Sequence, residues 1–258
     1  MKNRTQIGAI VIGVIIFAMC SCQKDTITNS ISGNRIYLAK YVAFETPNES
    51  AIPDVTKEYH YDNLGRLQSV VTDLLHPPPQ AVISYPDSLI YYYSQVDTLP
   101  YKAIHYNQGR LSPIEDYTYD KHARLTQKRY RAVSDEEGFY EFYSYSKNQI
   151  IITNSSDGNI DTLTYDGSNI TQDGRWFNIQ ISGLKNPFYQ VNVNRHIPYN
   201  PSVLGERSLN ENAPLQVTAY GSYIMRYQYD SIVNGLPGKA TTTINSATFV
   251  TMYFYYKQ

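Results

Sequence analysis

The chain reads as all-β: an antiparallel meander of Tyr-rich hairpins. Three observations predict this. Tyrosine is the outlier of the composition, 26 residues against 8 Phe and 1 Trp, alongside 14 Gly and 13 Pro. Strands favour Tyr because its flat ring covers a pleated surface while its hydroxyl stays hydrated, and Gly and Pro supply turns. The phrase Tyr59-His60-Tyr61-Asp62-Asn63-Leu64-Gly65-Arg66-Leu67-Gln68-Ser69-Val70-Val71 reads as strand, tight turn and return strand. Beyond residue 21, no stretch of ten or more residues carries an amphipathic helical period.

The first element is a strand at the start of the globular part, Arg35 to Phe44, followed by a loop from Glu45 to Asp54. The hairpin phrase fills 57–71. Tyr59 and Tyr61 are two apart and share one strand face, with Glu58 and His60 on the other. Asp62 and Gly65 occupy the first and last places of a type I turn, where an Asp side chain bonds the backbone and Gly accepts positive φ. His76-Pro77-Pro78-Pro79 interrupts the pattern, since Pro removes ladder donors. Residues 82–93 make a second strand–turn–strand.

Looser copies of the phrase follow at 104–111, 117–125, 143–150, 163–170 and 227–239, and Tyr253-Phe254-Tyr255-Tyr256 reads as a closing strand. The Tyr register is expected to line one sheet face, and Glu58, His60, Thr118, Ser144 and Gln228 the other. Irregular spacing makes this a meander with variable loops rather than a solenoid. Asp173 to Ala213 departs from the pattern, either as an excursion from the sheet or as a join between halves. A long loop in a compact domain is often functional.

The N-terminus carries an address. Lys2 and Arg4 precede an apolar run from Ile7 to Met19, and Ser21-Cys22-Gln23-Lys24-Asp25 follows. This is a secretory signal, short for a transmembrane helix. Its end resembles the lipobox of bacterial lipoproteins, with Ser21 before Cys22 as the lipid-attachment residue. The wording after Cys22 is similar to that of Bacteroidota lipoproteins, in which Lys and acids beside the cysteine accompany export to the cell surface. The expected organisation is a lipoprotein signal peptide over 1–21, a lipidated tether over 22–33 and a single β domain over 34–258. The expected location is the outer membrane of a bacterial envelope, on its periplasmic or surface face.

Two family resemblances extend this. Tyr-x-Tyr-Asp-x-x-Gly-Arg-Leu at 59–67 resembles the YD repeat of Rhs-like bacterial surface proteins, which implies successive β-hairpins. A second likeness covers most of the mature chain. It rests on the lipoprotein signal, the Tyr-x-Tyr-Asp hairpins, Asn186-Pro187-Phe188-Tyr189, Asn212 to Thr218, Tyr227-Gln228-Tyr229-Asp230, Asn234 to Lys239 and the Tyr-rich end. In these the chain resembles a Bacteroidota lipoprotein family of unknown function described as porin-like. That resemblance implies a curved, barrel-like sheet and no activity. The Tyr-rich face argues against a membrane-spanning barrel, because phenol hydroxyls deep in lipid lack partners, and an anchor on an integral barrel is redundant.

Chemistry is thinly signalled. The formal charge is −1, and removal of 1–21 takes away Lys2 and Arg4, leaving 20 basic and 23 acidic side chains, or −3. That is no footprint of a nucleic-acid binder. Both cysteines, Cys20 and Cys22, lie at this N-terminal end, so the folded domain is expected to have no disulfide, thiol nucleophile or Cys-based metal site. The five His show no paired ligand spacing, and His60 and His105, at equivalent places in two copies, read as surface strand positions. No GxSxG, P-loop or GxGxxG is present. The expectation is no enzyme, no catalytic residue, no cofactor and no metal. The leading function is a non-enzymatic, lipid-anchored envelope domain for scaffolding or interaction, with the membrane as partner through its anchor and an envelope protein or glycan as further partner. The alternative is a glycan-binding accessory of a polysaccharide-uptake system. Trp176, in Arg175-Trp176-Phe177, is the candidate ligand-binding residue, since aromatic rings stack on sugar faces.

Overall fold

The structure is a computed structural model, and it describes residues 36–44, 53–74, 88–95, 97–107, 110–134, 137–166, 169–174, 177–191, 210–219, 223–244 and 247–257. Among these, sixteen strands run in order: β1 Ile36–Phe44, β2 Val55–Tyr61, β3 Leu67–Leu74, β4 Ser88–Tyr93, β5 Pro100–Asn107, β6 Arg110–Tyr119, β7 Leu125–Arg131 and β8 Phe139–Tyr145. They continue as β9 Gln149–Asn154, β10 Ile160–Asp166, β11 Asn169–Asp173, β12 Phe177–Lys185, β13 Asn212–Ala219, β14 Tyr223–Val233, β15 Leu236–Ile244 and β16 Ala247–Lys257. A single short helix among the described residues, α1 (Pro187–Val191), falls between β12 and β13. Each strand pairs antiparallel with its sequence neighbours, and β16 pairs with β1, closing the sheet into a barrel. The all-β meander is therefore as expected, and the Tyr-rich last strand is the one that closes it. Closure removes the exposed edges that an open sheet would carry.

The hairpin phrase behaves as its residues dictate. Gly65 N–H donates to the Asp62 carbonyl at 2.9 Å, and the Asp62 carboxylate accepts from the N–H groups of Leu64 and Arg66, both at 2.9 Å. Arg66 Nε then donates to the second carboxylate oxygen at 2.7 Å. Asp120 repeats the arrangement with His122 and Arg124. The difference lies at the left-handed position, where Gly65 (φ 71°) is replaced by Ala123 (φ 61°). An L-residue there costs about 1–2 kcal/mol, partly offset by its lower unfolded-state entropy. Ala123→Gly is therefore expected to stabilise the fold by about 0.5–1 kcal/mol, read as a higher urea midpoint. Gly65→Ala is expected to lower the midpoint, because its Cβ would crowd the Tyr37 hydroxyl.

The second tyrosine of each unit has a further job. Tyr61 of β2 donates its hydroxyl to the Leu38 carbonyl of β1 at 3.0 Å, and Tyr93 of β4 to Leu67 of β3 at 2.7 Å. Tyr119 of β6 reaches Pro100 of β5 at 2.8 Å, and Tyr145 of β8 reaches Leu125 of β7 at 2.7 Å. Tyr229 of β14 and Tyr255 of β16 do the same to Pro214 of β13 and Pro237 of β15. The end of an even strand is thus tied to the start of the odd strand before it. Successive units are also coupled, with the Arg66 guanidinium 4.4 Å from the Tyr93 ring and Arg124 4.7 Å from the Tyr145 ring. The repeat is a two-strand structural unit.

Register assigns the two faces of the wall. Tyr59, Tyr61, Tyr117, Tyr143 and Tyr227 point inward, in one core cluster with Leu125, Ile150 and Val217 and a second with Leu38, Tyr41 and Leu67. Glu58, His60, Thr118, Ser144 and Gln228 point outward, as the alternation requires. The copy at 104–111 is out of phase: Leu89 faces His105 across the ladder, and Ser88 faces Tyr106. His105 therefore points inward and Tyr106 outward. This corrects the reading of His105 as a surface position; His60 does lie exposed on the outer face. The cause is topological, since the copy ends an odd strand and its turn lies at the opposite rim from the true units. At the seam of β1 and β16, Val42, Phe44, Val250 and Met252 form a separate small apolar cluster on the outer side.

Candidate functional site

Among the described residues, a cluster of ionisable groups lies in the interior on neighbouring strands β5–β8. Glu115 (8% exposed) and Lys128 (5%) are buried, with Lys128 Nζ 3.4 Å from Glu115 Oε2. Pairing of Ala103 with Glu115 and of Tyr117 with Lys128 puts both on the inner face. His105 Nε2 lies 2.9 Å from Glu115 Oε1, and the Tyr117 hydroxyl donates to Oε2 at 2.5 Å. Lys128 Nζ sits 4.1 Å from the centre of the Tyr130 ring. Glu141, next across the ladder from Lys128, accepts from the Tyr143 hydroxyl.

Burial pushes the Glu115 carboxyl up, but Lys128, the His105 bond and the Tyr117 bond outweigh it and hold the pKa at about 2. Burial pushes Lys128 down, and Glu115, Tyr130 and Glu141 together more than reverse this, keeping the ammonium charged. Burial, and then Glu115, raise Tyr117. Glu115, Lys128 and Tyr117 are thus each fixed in one protonation state at neutral pH. Glu115 and Lys128 have the chemistry of a satisfied buried ion pair.

A second constellation closes the irregular segment, and it is made of asparagines. Asn210 (0% exposed) accepts from Ile170 N–H at 2.7 Å and returns an Nδ2–H to the Ile170 carbonyl at 3.2 Å. Asn186 (2% exposed) donates from Nδ2 to the Asn210 carbonyl at 2.9 Å and accepts from Phe188 N–H at 3.0 Å, so it also starts α1. Asn212 N–H donates to the Asn169 side chain at 2.9 Å. The two ends of the 186–212 excursion are therefore clasped to each other and to β11. From this clasp α1 turns inward. Phe188 packs at 5.7 Å on the Tyr41 ring and at 5.8 Å on the Tyr253 ring, both inward-facing. These contacts place α1 inside the barrel against the β1–β16 seam, and burial, with the Tyr189 phenol second, raises the pKa of Tyr165 of β10. Within the 173–213 stretch, Phe177–Lys185 is a regular strand paired with β11 and β13 in the same closed barrel, so the stretch is no join between halves.

The outer wall has a different chemistry on its two sides. Over β1–β8 it carries charge, including Lys40 paired with Glu58 at 3.0 Å and Arg131 with Asp116 at 2.8 Å. Over β12–β15 amides and hydroxyls surround Arg226. Gln180 faces Gln216, Gln216 faces Arg226 and Arg226 faces Thr243 across consecutive strands. With Gln228, Thr241 and Leu215 they line a groove of about 430 Å³.

Both sequence-predicted site residues, Cys22 and Trp176, lie outside the described residues. His122 is exposed in the Asp120 turn. Among the described residues, no three His, Cys, Asp or Glu side chains converge to hold a metal ion. The Glu115, Lys128 and Asn210 constellations escaped the sequence reading. The usable signal was weak: Asn at 186, 210 and 212 flanking the one irregular segment, and charged residues in the inward register of β6 and β7.

A solved structure shares this fold. A crystal structure of a porin-like protein from Bacteroides uniformis ATCC 8492 superposes with TM-score 0.51 at 15% identity, over 85% of this chain and 98% of that one. A porin-like protein from Bacteroides vulgatus ATCC 8482 gives TM-score 0.40 at 11% identity, over 86% and 99%. No protein-family model matches, and no curated protein is similar enough to report. In fold, this chain is similar to the porin-like barrel from Bacteroides uniformis along nearly the whole of that protein.

Proposed function

We propose that this chain is a lipid-anchored, non-conducting β-barrel of the bacterial envelope, non-enzymatic, whose outer wall serves scaffolding or interaction. The carrying observation is the direction of the barrel's polarity. Membrane-spanning barrels turn an apolar band outward and a polar surface inward, and an Arg or Lys on the lipid face near the midplane costs about 2–4 kcal/mol. In this barrel the inner face is packed with Tyr, Leu and Ile, and α1 lies inside it. The outer face bears Lys102, Asp116, Arg129 and Arg226 within strands. Such a wall suits water, and such an interior leaves little room for permeation. Membrane attachment then falls to Cys22, whose acyl chains bury methylene groups at about 0.8 kcal/mol each. The interior ion pair, with both partners satisfied, supports a structural interior.

One experiment tests anchoring and topology together. Cys22→Ala is expected to abolish labelled palmitate incorporation and to move the chain from the membrane to the soluble fraction. Retention in the membrane after loss of the label would identify an integral barrel and overturn the proposal, and unchanged labelling would refute the attachment site.

A further inference from the structure

We infer that the β12–β15 groove binds an acidic oligosaccharide, with Arg226 receiving the carboxylate of a uronate sugar; this names a ligand class for the outer wall and rests on that wall facing water. The row Gln180, Gln216, Arg226, Thr243 crosses four strands in direct register, a span of about 14 Å at the usual inter-strand spacing. Gln228 and Thr241 form the next rung.

The hydrogen-bonding capacity is specific. Asp230, beyond that rung, already accepts from Gln228 Nε2 at 2.9 Å and from Thr241 Oγ1 at 2.5 Å. This orients the Gln228 amide and leaves its Oε1 as an acceptor. Gln216 Nε2 is turned toward Thr218 Oγ1 at 3.5 Å. Arg226 is exposed, and no carboxylate among the described residues pairs with it. A guanidinium presents five N–H donors in a fork that fits a carboxylate. Around it stand amides and hydroxyls, which both donate and accept, as sugar hydroxyls do. Leu215, 47% exposed, supplies a small apolar surface for the C–H face of a ring.

An acidic peptide is the less suited occupant. Extended peptides gain most of their affinity by adding to a sheet edge, and this barrel is closed. Pockets for apolar side chains are also lacking in a groove whose one apolar lining side chain besides Tyr227 is Leu215.

Isothermal titration of the full chain in detergent against tetragalacturonate, an oligomannuronate and fully methyl-esterified tetragalacturonate tests this. Binding of at least one uronate, loss on esterification, and affinity about tenfold to a hundredfold weaker in Arg226→Gln are expected. Arg226→Gln is expected to unfold at the wild-type midpoint, since the side chain is exposed. No binding of either uronate, equal binding of the ester, unchanged affinity in Arg226→Gln, or equal displacement by a poly-glutamate peptide would each overturn the assignment. None of these outcomes touches palmitate labelling at Cys22, so the anchoring proposal stands or falls separately.

Discussion

Lys128→Met is expected to destabilise the fold by about 3–5 kcal/mol at pH 7, because it leaves the Glu115 carboxylate buried without its cation. The sign with pH is distinctive. In the wild type, Glu115 has a folded-state pKa of about 2, below its ordinary 4.5. Its contribution is therefore complete above about pH 4.5 and is lost as the pH falls toward 2. Lys128 is the largest influence holding that pKa down, and without it the pKa rises from that value. The folded variant then binds the proton more tightly than the folded wild type. Its deficit is greatest at neutral pH and shrinks in acid. Urea midpoints of both proteins at pH 7 and pH 4 read this directly, and a deficit that grows in acid would refute the ion-pair account. Glu115→Gln with Lys128→Met removes both charges and is expected to recover most of the loss, since replacing a buried pair costs far less than breaking one.

The second large effect is expected at the asparagine clasp. Asn210→Ala removes the bonds to both the N–H and the carbonyl of Ile170, at a position with no exposure. Leaving two buried backbone groups unsatisfied costs about 2–4 kcal/mol in total, each contributing about 1–3 before relaxation. Asn186→Ala loses its bond to the Asn210 carbonyl and the acceptor for Phe188 N–H, so it is expected to weaken α1 as well. Equilibrium unfolding by circular dichroism measures both. A loss below about 0.5 kcal/mol in Asn210→Ala, the range of ordinary surface substitutions, would show that the clasp contributes little.

What was legible in advance was local. Asp62, Gly65 and the alternation around them specify a hairpin within thirteen residues, because turn chemistry and a two-residue period act between near neighbours. Tyr59, Tyr61, Tyr117, Tyr119, Tyr143 and Tyr145 sort to one face for the same reason. That the barrel's two rims differ was not legible. The copy at 104–111 has the right words at the wrong rim, and only its pairing with β4 shows His105 turned inward.

The candidate sites were less visible still. Glu115, Lys128 and His105 belong to three strands, and nothing in their local spacing says that ladder register will stack them. Asn210 meets Ile170 across forty residues.

By itself, then, the sequence determined the all-β class, the hairpins, their turns and the tyrosine face. The tertiary structure alone decided that β16 meets β1, that the tyrosine face is the inside, and that α1 lies within it. The physical reason is range. Turn and strand preferences are set by adjacent residues, whereas closure and inside-out polarity depend on registers accumulated over sixteen strands, where a one-residue shift turns every side chain to the other face.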